Sequence, residues 1–299
     1  MVGKGRFLRY ARLAIPTLAG TTLLSGCGRQ FMVLDPSGPV GTRELHLILL
    51  SAGLMAVVIV PALVLFAWIL VRYRDKPGNK ARFAPNWAEN RTLEVIWWGI
   101  PIVLIAVIGV FTAKDIYALT KPPEKNVQPL TIDVVSLDWK WLFLYPGQHI
   151  ATVNYAEIPT GVPVQFVLTS DAPMNSFWVP ALGGQVYTMP GMAMKLWLQA
   201  DKDGDYYGHG ANFTGAGFAK MQFDILSRPK ADFDQWVTKV QSGTAKLTDA
   251  GYARLKKPSN VGEQSYAAFP SGLFNKIVTT DGGKYYTQMN MQDMPGMAN

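Results

Sequence analysis

Cysteine is almost absent from this 299-residue chain, with Cys27 as its single example. One thiol cannot make an internal disulfide, and cysteine-rich metal sites are excluded with it. Histidine is scarce as well, with three residues. Of these, His46 and His149 have no partner at ligand spacing and are read as structural. Charge is thin at 16%, against 49% hydrophobic residues. The formal charge of +7 does not mark a nucleic-acid partner. Lys4, Arg6, Arg9 and Arg12 crowd the start, and most other cations of the first half share one short loop. A nucleic-acid face needs cations gathered on a folded domain.

The apolar excess sits before residue 115. The cationic start is followed by an apolar stretch, Leu13 to Leu24, and then by Leu24-Ser25-Gly26-Cys27. This is the layout of a bacterial export signal, with an apolar part too short to span a bilayer comfortably. Its end resembles a lipoprotein box, so residues 1–26 are expected to be removed and Cys27 to be acylated as the mature N-terminus. An ordinary signal peptide with an incidental cysteine is the other reading.

Leu45 to Val71 and Leu93 to Ala113 are each long and apolar enough to cross a membrane. Pro61 and Pro101 fall inside them, which membrane helices tolerate. Between them lie Arg72, Arg74, Lys76, Lys80, Arg82 and Arg91 against only Asp75 and Glu89. The positive-inside rule makes loop 72–92 cytoplasmic, so both ends of a hairpin over 45–115 emerge outside, as does Cys27. Trp68, Tyr73, Trp97 and Trp98 look interfacial. Residues 27–44 form an external lead-in.

Past Lys114 the texture turns to short β-rich runs: Leu130–Leu137, Trp141–Tyr145, Val164–Thr169, Met194–Leu198 and Ala219–Leu226. Turn signals at Pro146-Gly147, Thr160-Gly161, Gly183-Gly184 and Asp203-Gly204 separate them. Such spacing predicts an all-β sandwich or barrel over 116–228. A helical pattern follows from Lys230 to about Lys257, with Phe233, Trp236, Val237 and Val240 on one face and Asp232 as N-cap. It belongs to an aromatic-rich segment, 229–278. Residues 279–299 form a Met-rich tail that is expected to be mobile.

Three stretches resemble subunit II of the haem–copper respiratory oxidases. Asn90-Arg91-Thr92-Leu93-Glu94-Val95-Ile96-Trp97 is similar to the opening of that family's second membrane helix. Leu137-Asp138-Trp139-Lys140-Trp141 is similar to its Trp-x-Trp strand. Ala172-Pro173-Met174-Asn175-Ser176-Phe177-Trp178-Val179-Pro180 resembles the start of its dicopper region, which resumes at Tyr207-Gly208. The resemblance implies a two-helix transmembrane hairpin plus an all-β cupredoxin-like barrel, with a helical aromatic-rich C-terminal segment.

The family's dicopper site uses two bridging thiolates, two imidazoles, a thioether and a carbonyl, a soft donor set suited to copper. Carried over by position, the imidazoles fall on Asn175 and Phe218, and the thiolates on Gly210 and Thr214. The acidic residue between the thiolates falls on Asn212 and the thioether on Met221. Only Met221 could still ligate. His209 stands one position early and alone. No metal or other cofactor is therefore expected on this chain.

That deficit resembles the quinol-oxidising branch, as does the aromatic-rich extension with Phe233, Trp236, Tyr252, Tyr266 and Phe269, which is similar to bo-type ubiquinol oxidases. The implied role is a non-catalytic subunit of a proton-pumping ubiquinol:oxygen oxidoreductase in the bacterial inner membrane, its β-domain in the periplasm. Its partners would be membrane lipid, subunit I (the expected holder of haem and copper) and further membrane subunits, without cytochrome c. A cytochrome c oxidase subunit II with a degenerate site, or an anchored cupredoxin that carries copper, are the competing readings.

Glu94 lies just inside the second span near its cytoplasmic end, where an ionisable group is costly. The resemblance implies a proton entrance; the other reading is a solvated carboxylate or a pair with Arg91. Trp139 and Trp141 alternate with Lys140 and are assigned to packing on one strand face. Met289, Met291, Met294 and Met297 could meet Cu(I) or merely reflect a biased end.

Overall fold

The computed structural model describes residues 31–81, 89–124 and 126–280. The leader with Cys27, Arg82 of the cationic loop and the Met-rich tail lie outside the described residues.

Two long helices come first, α1 (Pro39–Arg72) and α2 (Arg91–Leu119), and none of the apolar stretch of either is buried within the chain. At 1.5 Å per residue, the 34 residues of α1 extend about 51 Å, well beyond the ~30 Å hydrocarbon layer. The surplus lies at its start. The helix begins at Pro39 rather than Leu45 because its first turn is docked onto the β-domain. Ser37 N–H donates to Ala181 O at 2.8 Å, Gly41 N–H to Leu182 O at 3.0 Å, and Asp201 N–H to Ser37 O at 2.9 Å. Further along, the Glu44 carboxylate accepts Gly184 N–H at 2.9 Å. A short 3-10 turn, Met32–Leu34, precedes the helix. At the start of α2, Asn90 Oδ1 accepts Leu93 N–H at 3.1 Å, an N-cap of the usual kind.

Among the described residues eleven strands follow: β1 (Leu130–Leu137), β2 (Lys140–Tyr145), β3 (Ile150–Val153), β4 (Tyr155–Pro159), β5 (Val164–Ser170), β6 (Asn175–Trp178), β7 (Val186–Thr188), β8 (Met194–Leu198), β9 (Gly204–Gly210), β10 (Gln222–Arg228) and β11 (Gln264–Tyr266). They form a six-stranded sheet in the order β11-β3-β2-β1-β5-β8, and a five-stranded sheet in the order β4-β10-β9-β6-β7. β1 runs parallel to β5 and β4 to β10; the remaining pairs are antiparallel. The cupredoxin-like barrel expected from the sequence is thus two facing sheets.

Alternate residues of β2 explain the core. Trp141, Phe143 and Tyr145 point between the sheets, where Phe177 and Phe223 stack at 4.8 Å and Trp141 meets them edge-on at 5.3 and 5.4 Å. Leu142 and Leu144 point the other way, with Val135, Leu137, Ala151 and Val153. That outer face is dry because the C-terminal segment covers it with Leu247, Leu255, Leu273, Phe274, Ile277 and Val278. A strand buried on both faces reads as an unbroken apolar run, as Trp141–Tyr145 does.

The C-terminal segment is three helices, α3 (Lys230–Gln241), α4 (Asp249–Leu255) and α5 (Leu273–Thr280), and it also contributes β11 to the sheet edge. The single helical pattern expected to Lys257 is broken around Gly243, and Thr248 caps a new helix by accepting Gly251 N–H at 3.0 Å. Asp232 is not the N-cap of α3; Pro229 holds that place and Asp232 sits in the first turn, where a carboxylate favours the helix dipole. The strand expected from Ala219 begins only at Gln222, after a 3-10 turn over Phe218–Lys220.

Candidate functional site

Asn175 opens β6, with 1% of its surface exposed. Its Nδ2 donates to Met221 Sδ at 2.8 Å, and its Oδ1 accepts Ser176 N–H at 2.7 Å. Gly210 closes β9, and its N–H donates to Met221 O at 3.1 Å. A Cβ on Gly210 would lie 2.8 Å from Asn175 Oδ1, so the amide occupies room that a side chain there would need. Asn212 is turned away, its Nδ2 donating to Met174 O at 2.9 Å. Thr214 O accepts Trp139 Nε1–H at 3.2 Å. Phe218 meets the exposed ring of Phe213 edge-on at 5.5 Å.

These six positions fall on one end of the sandwich, beside a cleft of about 320 Å³ lined by Trp178, Tyr207, His209, Gly210, Phe218 and Met221. His209 does not join Met221. Side chains alternate along β9, so the buried Gly208 and Gly210 face the core while His209 faces out. Its ring lies 5.2 Å from Trp178 and 5.4 Å from Tyr207, with Nδ1 2.9 Å from Gly210 O. One thioether hydrogen-bonded to one amide does not fit a dicopper centre.

Residues 130–227 match the family model described as the periplasmic domain of cytochrome c oxidase subunit II. The chain is 45% identical to quinol oxidase subunit 2 of Bacillus cereus over 82% of its own length and 85% of the relative's. The chain belongs to the quinol oxidase subunit 2 family. It is also 45% identical to cytochrome bo(3) ubiquinol oxidase subunit 2 of Pseudomonas putida, over 84% of the chain and 80% of the relative. With ubiquinol oxidase subunit 2 of Acetobacter aceti it shares 40% identity over 96% of the chain and 92% of the relative.

In this quinol oxidase subunit, Trp139 and Trp141 do not share a strand face. Trp141 lies on β2, within the aromatic core. Trp139 precedes the strand with φ +65°, a left-handed backbone that throws its ring over the loop. The packing there is close: a Cβ on Gly217 would lie 2.2 Å from the indole. The pair therefore joins core and loop.

Glu94 sits in the first turn of α2, half-buried and remote in sequence from the β-domain. Among the described residues no ion pair joins it to Arg91. His149, also left-handed with φ +57°, rests against Phe269 at 5.9 Å.

Two residues escaped the sequence reading. Lys140 lies between two tryptophans and reads as an outward strand residue, yet it is fully buried, with Nζ donating to Leu255 O at 3.0 Å and Lys257 O at 2.9 Å. Asn154 has φ +61°, accepts Trp141 N–H at 2.9 Å and donates to Val261 O at 2.7 Å. The signal for Asn154 was available, since an asparagine between two β-runs tolerates that backbone. Lys140 gave none, because its acceptors lie over a hundred residues away.

Proposed function

We propose that this chain is the membrane-anchored second subunit of a quinol:oxygen oxidoreductase, and that it works without a metal of its own. The observation that carries the reading is the Asn175–Met221 contact, which fills the space that a copper-binding relative would give to its ligands. The relatives' names favour quinol over cytochrome c as electron donor. In such a complex, subunit I would hold haem and copper and take electrons from ubiquinol directly. The hairpin would clamp subunit I within the bilayer, and the sandwich would cap its outer face. Met174 and Phe213, exposed beside Asn212 and Phe218, supply apolar surface for that contact.

The cationic loop orients the hairpin with both outer ends in the periplasm, where Cys27 would carry its acyl chains. Glu94 would then stand at the cytoplasmic mouth of subunit I and admit protons. Its place in the first helical turn, with no ion pair among the described residues and apolar sequence following, supports that role. The purified complex should oxidise ubiquinol with no cytochrome c present, and removing this subunit should abolish turnover. Glu94→Ala should slow proton uptake linked to haem reduction, and unchanged reduction kinetics across pH would refute the entry role. Copper bound by this polypeptide in near-stoichiometric amount would instead favour a copper carrier.

A further inference from the structure

The inner end of α1 is followed by a built turn. Asn79 N–H donates to Lys76 O at 3.1 Å, with Pro77 and Gly78 (φ +80°) between them, the arrangement of a type II turn. The Asn79 side chain ties this turn back to the helix end: Nδ2 donates to Arg72 O at 3.2 Å and to Arg74 O at 2.9 Å, and Oδ1 accepts Ala81 N–H at 3.0 Å. One asparagine thus folds three cations against the end of a membrane helix.

The fold-back makes a notch of about 310 Å³ lined by Trp68, Val71, Arg72, Arg74, Lys76 and Asn79. Trp68 and Tyr73 meet edge-on at 6.3 Å, an aromatic pair at the depth where indole and phenol favour a bilayer boundary. None of Arg72, Arg74 and Lys76 has an acidic partner among the described residues, and Asp75 does not line the notch. The helix dipole accounts for a cation at Arg72. It does not account for three cations sharing a hollow with an indole.

We propose that this notch binds the headgroup of an anionic glycerophospholipid from the inner leaflet. The phosphodiester would be held by the two guanidinium groups and the Lys76 ammonium, with the glycerol and first acyl carbons against Trp68 and Val71. A zwitterionic lipid carries its own ammonium, which repels this cluster, so the site discriminates by net charge. Asn79 and Gly78 act as positioning residues, because they set the turn without touching the phosphate themselves. The proposal rests on the loop facing the cytoplasm.

The test uses the purified complex, delipidated in detergent and titrated with phosphatidylglycerol or phosphatidylcholine, with bound lipid counted by native mass spectrometry. Comparison with a variant isolates this site from those of other subunits. Binding of one phosphatidylglycerol should weaken about fivefold for each cation removed in the series R74Q, R72Q/R74Q and R72Q/R74Q/K76Q. Gly78→Val keeps every charge but strains the turn, and it should lose the same lipid. Should the triple variant fail to assemble, Arg74→Gln alone, outside the helix, suffices. Equal retention by Arg74→Gln and wild type, or equal binding of phosphatidylcholine, would overturn the proposal. Displacement of the lipid by millimolar inorganic phosphate would reassign the site to a free anion. Labelling of a Lys80→Cys variant from the periplasmic side would refute the loop's orientation, a failure separate from the lipid result.

Discussion

Asn175 and Met221 are hydrogen-bonded to each other, amide to thioether at 2.8 Å, over Gly210 of β9, the strand that lies between β6 and β10 in their sheet. The amide is used twice, since its oxygen also holds Ser176 N–H. The contact braces the start of β6 against the start of β10.

Asn175→Ala should therefore act on stability and leave electron flow alone. It would free a buried backbone N–H and open a void beside Met221, at a loss of about 1–3 kcal/mol. Thermal unfolding of the complex, measured beside ubiquinol turnover, checks this. Slowed haem reduction with an unchanged melting temperature would refute the brace.

Gly38 is where the membrane helix meets the β-domain. A Cβ there would lie 2.0 Å from Gln199 O, a backbone atom that cannot rotate away. Gly38→Ala should force the docked turn apart, costing about 3 kcal/mol and lowering the yield of assembled complex. Gly53→Ala, on the same helix with nothing within 4 Å, should be neutral. Similar yields for the two variants would show that the docking is loose.

Asp133 lies on the outer face of β1, in register with Leu144 and Val167, and burial pushes its pKa up to about 7. Between the ordinary carboxylate value and 7 the folded state holds a proton that the unfolded chain releases. Stability should therefore fall as pH rises through that window and level off above it. The loss is on the order of 4 kcal/mol, and Asp133→Asn should remove it. Denaturant unfolding of both proteins from pH 4 to pH 8 gives the two slopes; parallel curves would exclude Asp133 as their source.

Lys140 holds the end of α4 through two carbonyls, with its ammonium at the negative pole of that short helix. A second tie joins Asp171 to Tyr252 and Lys256. Lys140→Met keeps the apolar stem but strands two acceptors, at about 2 kcal/mol. The segment after α4, residues 256–263, should then be cut faster in limited proteolysis, whereas the membrane helices should not respond. Unchanged cleavage would mean that the apolar cover alone holds the segment.

Much of the architecture is legible in the sequence because it is written in local signals. The hairpin follows from two apolar runs around a cationic loop, and the outer strands follow from β-runs between turn residues. The Trp141–Tyr145 run announces burial on both faces but does not say what lies on either. β11 is the clearest omission: Gln264-Ser265-Tyr266 has no apolar alternation, and it is a strand only because β3 offers an open edge. The break at Gly243 was hidden because apolar spacing continues beyond it. The positions that match the family's dicopper ligands follow from the resemblance alone, whereas the Asn175–Met221 hydrogen bond joins residues 46 apart and belongs to the tertiary structure.

The cover over β1 and β2 has a consequence for biogenesis. Both strands emerge from the ribosome well before Leu247, Leu255 and the α5 residues that will shield them. Until then a broad greasy sheet faces water, with the β3 edge unpaired. A chain truncated after β10 should be held by chaperones or clump, even though every strand of the sandwich except β11 has already been made.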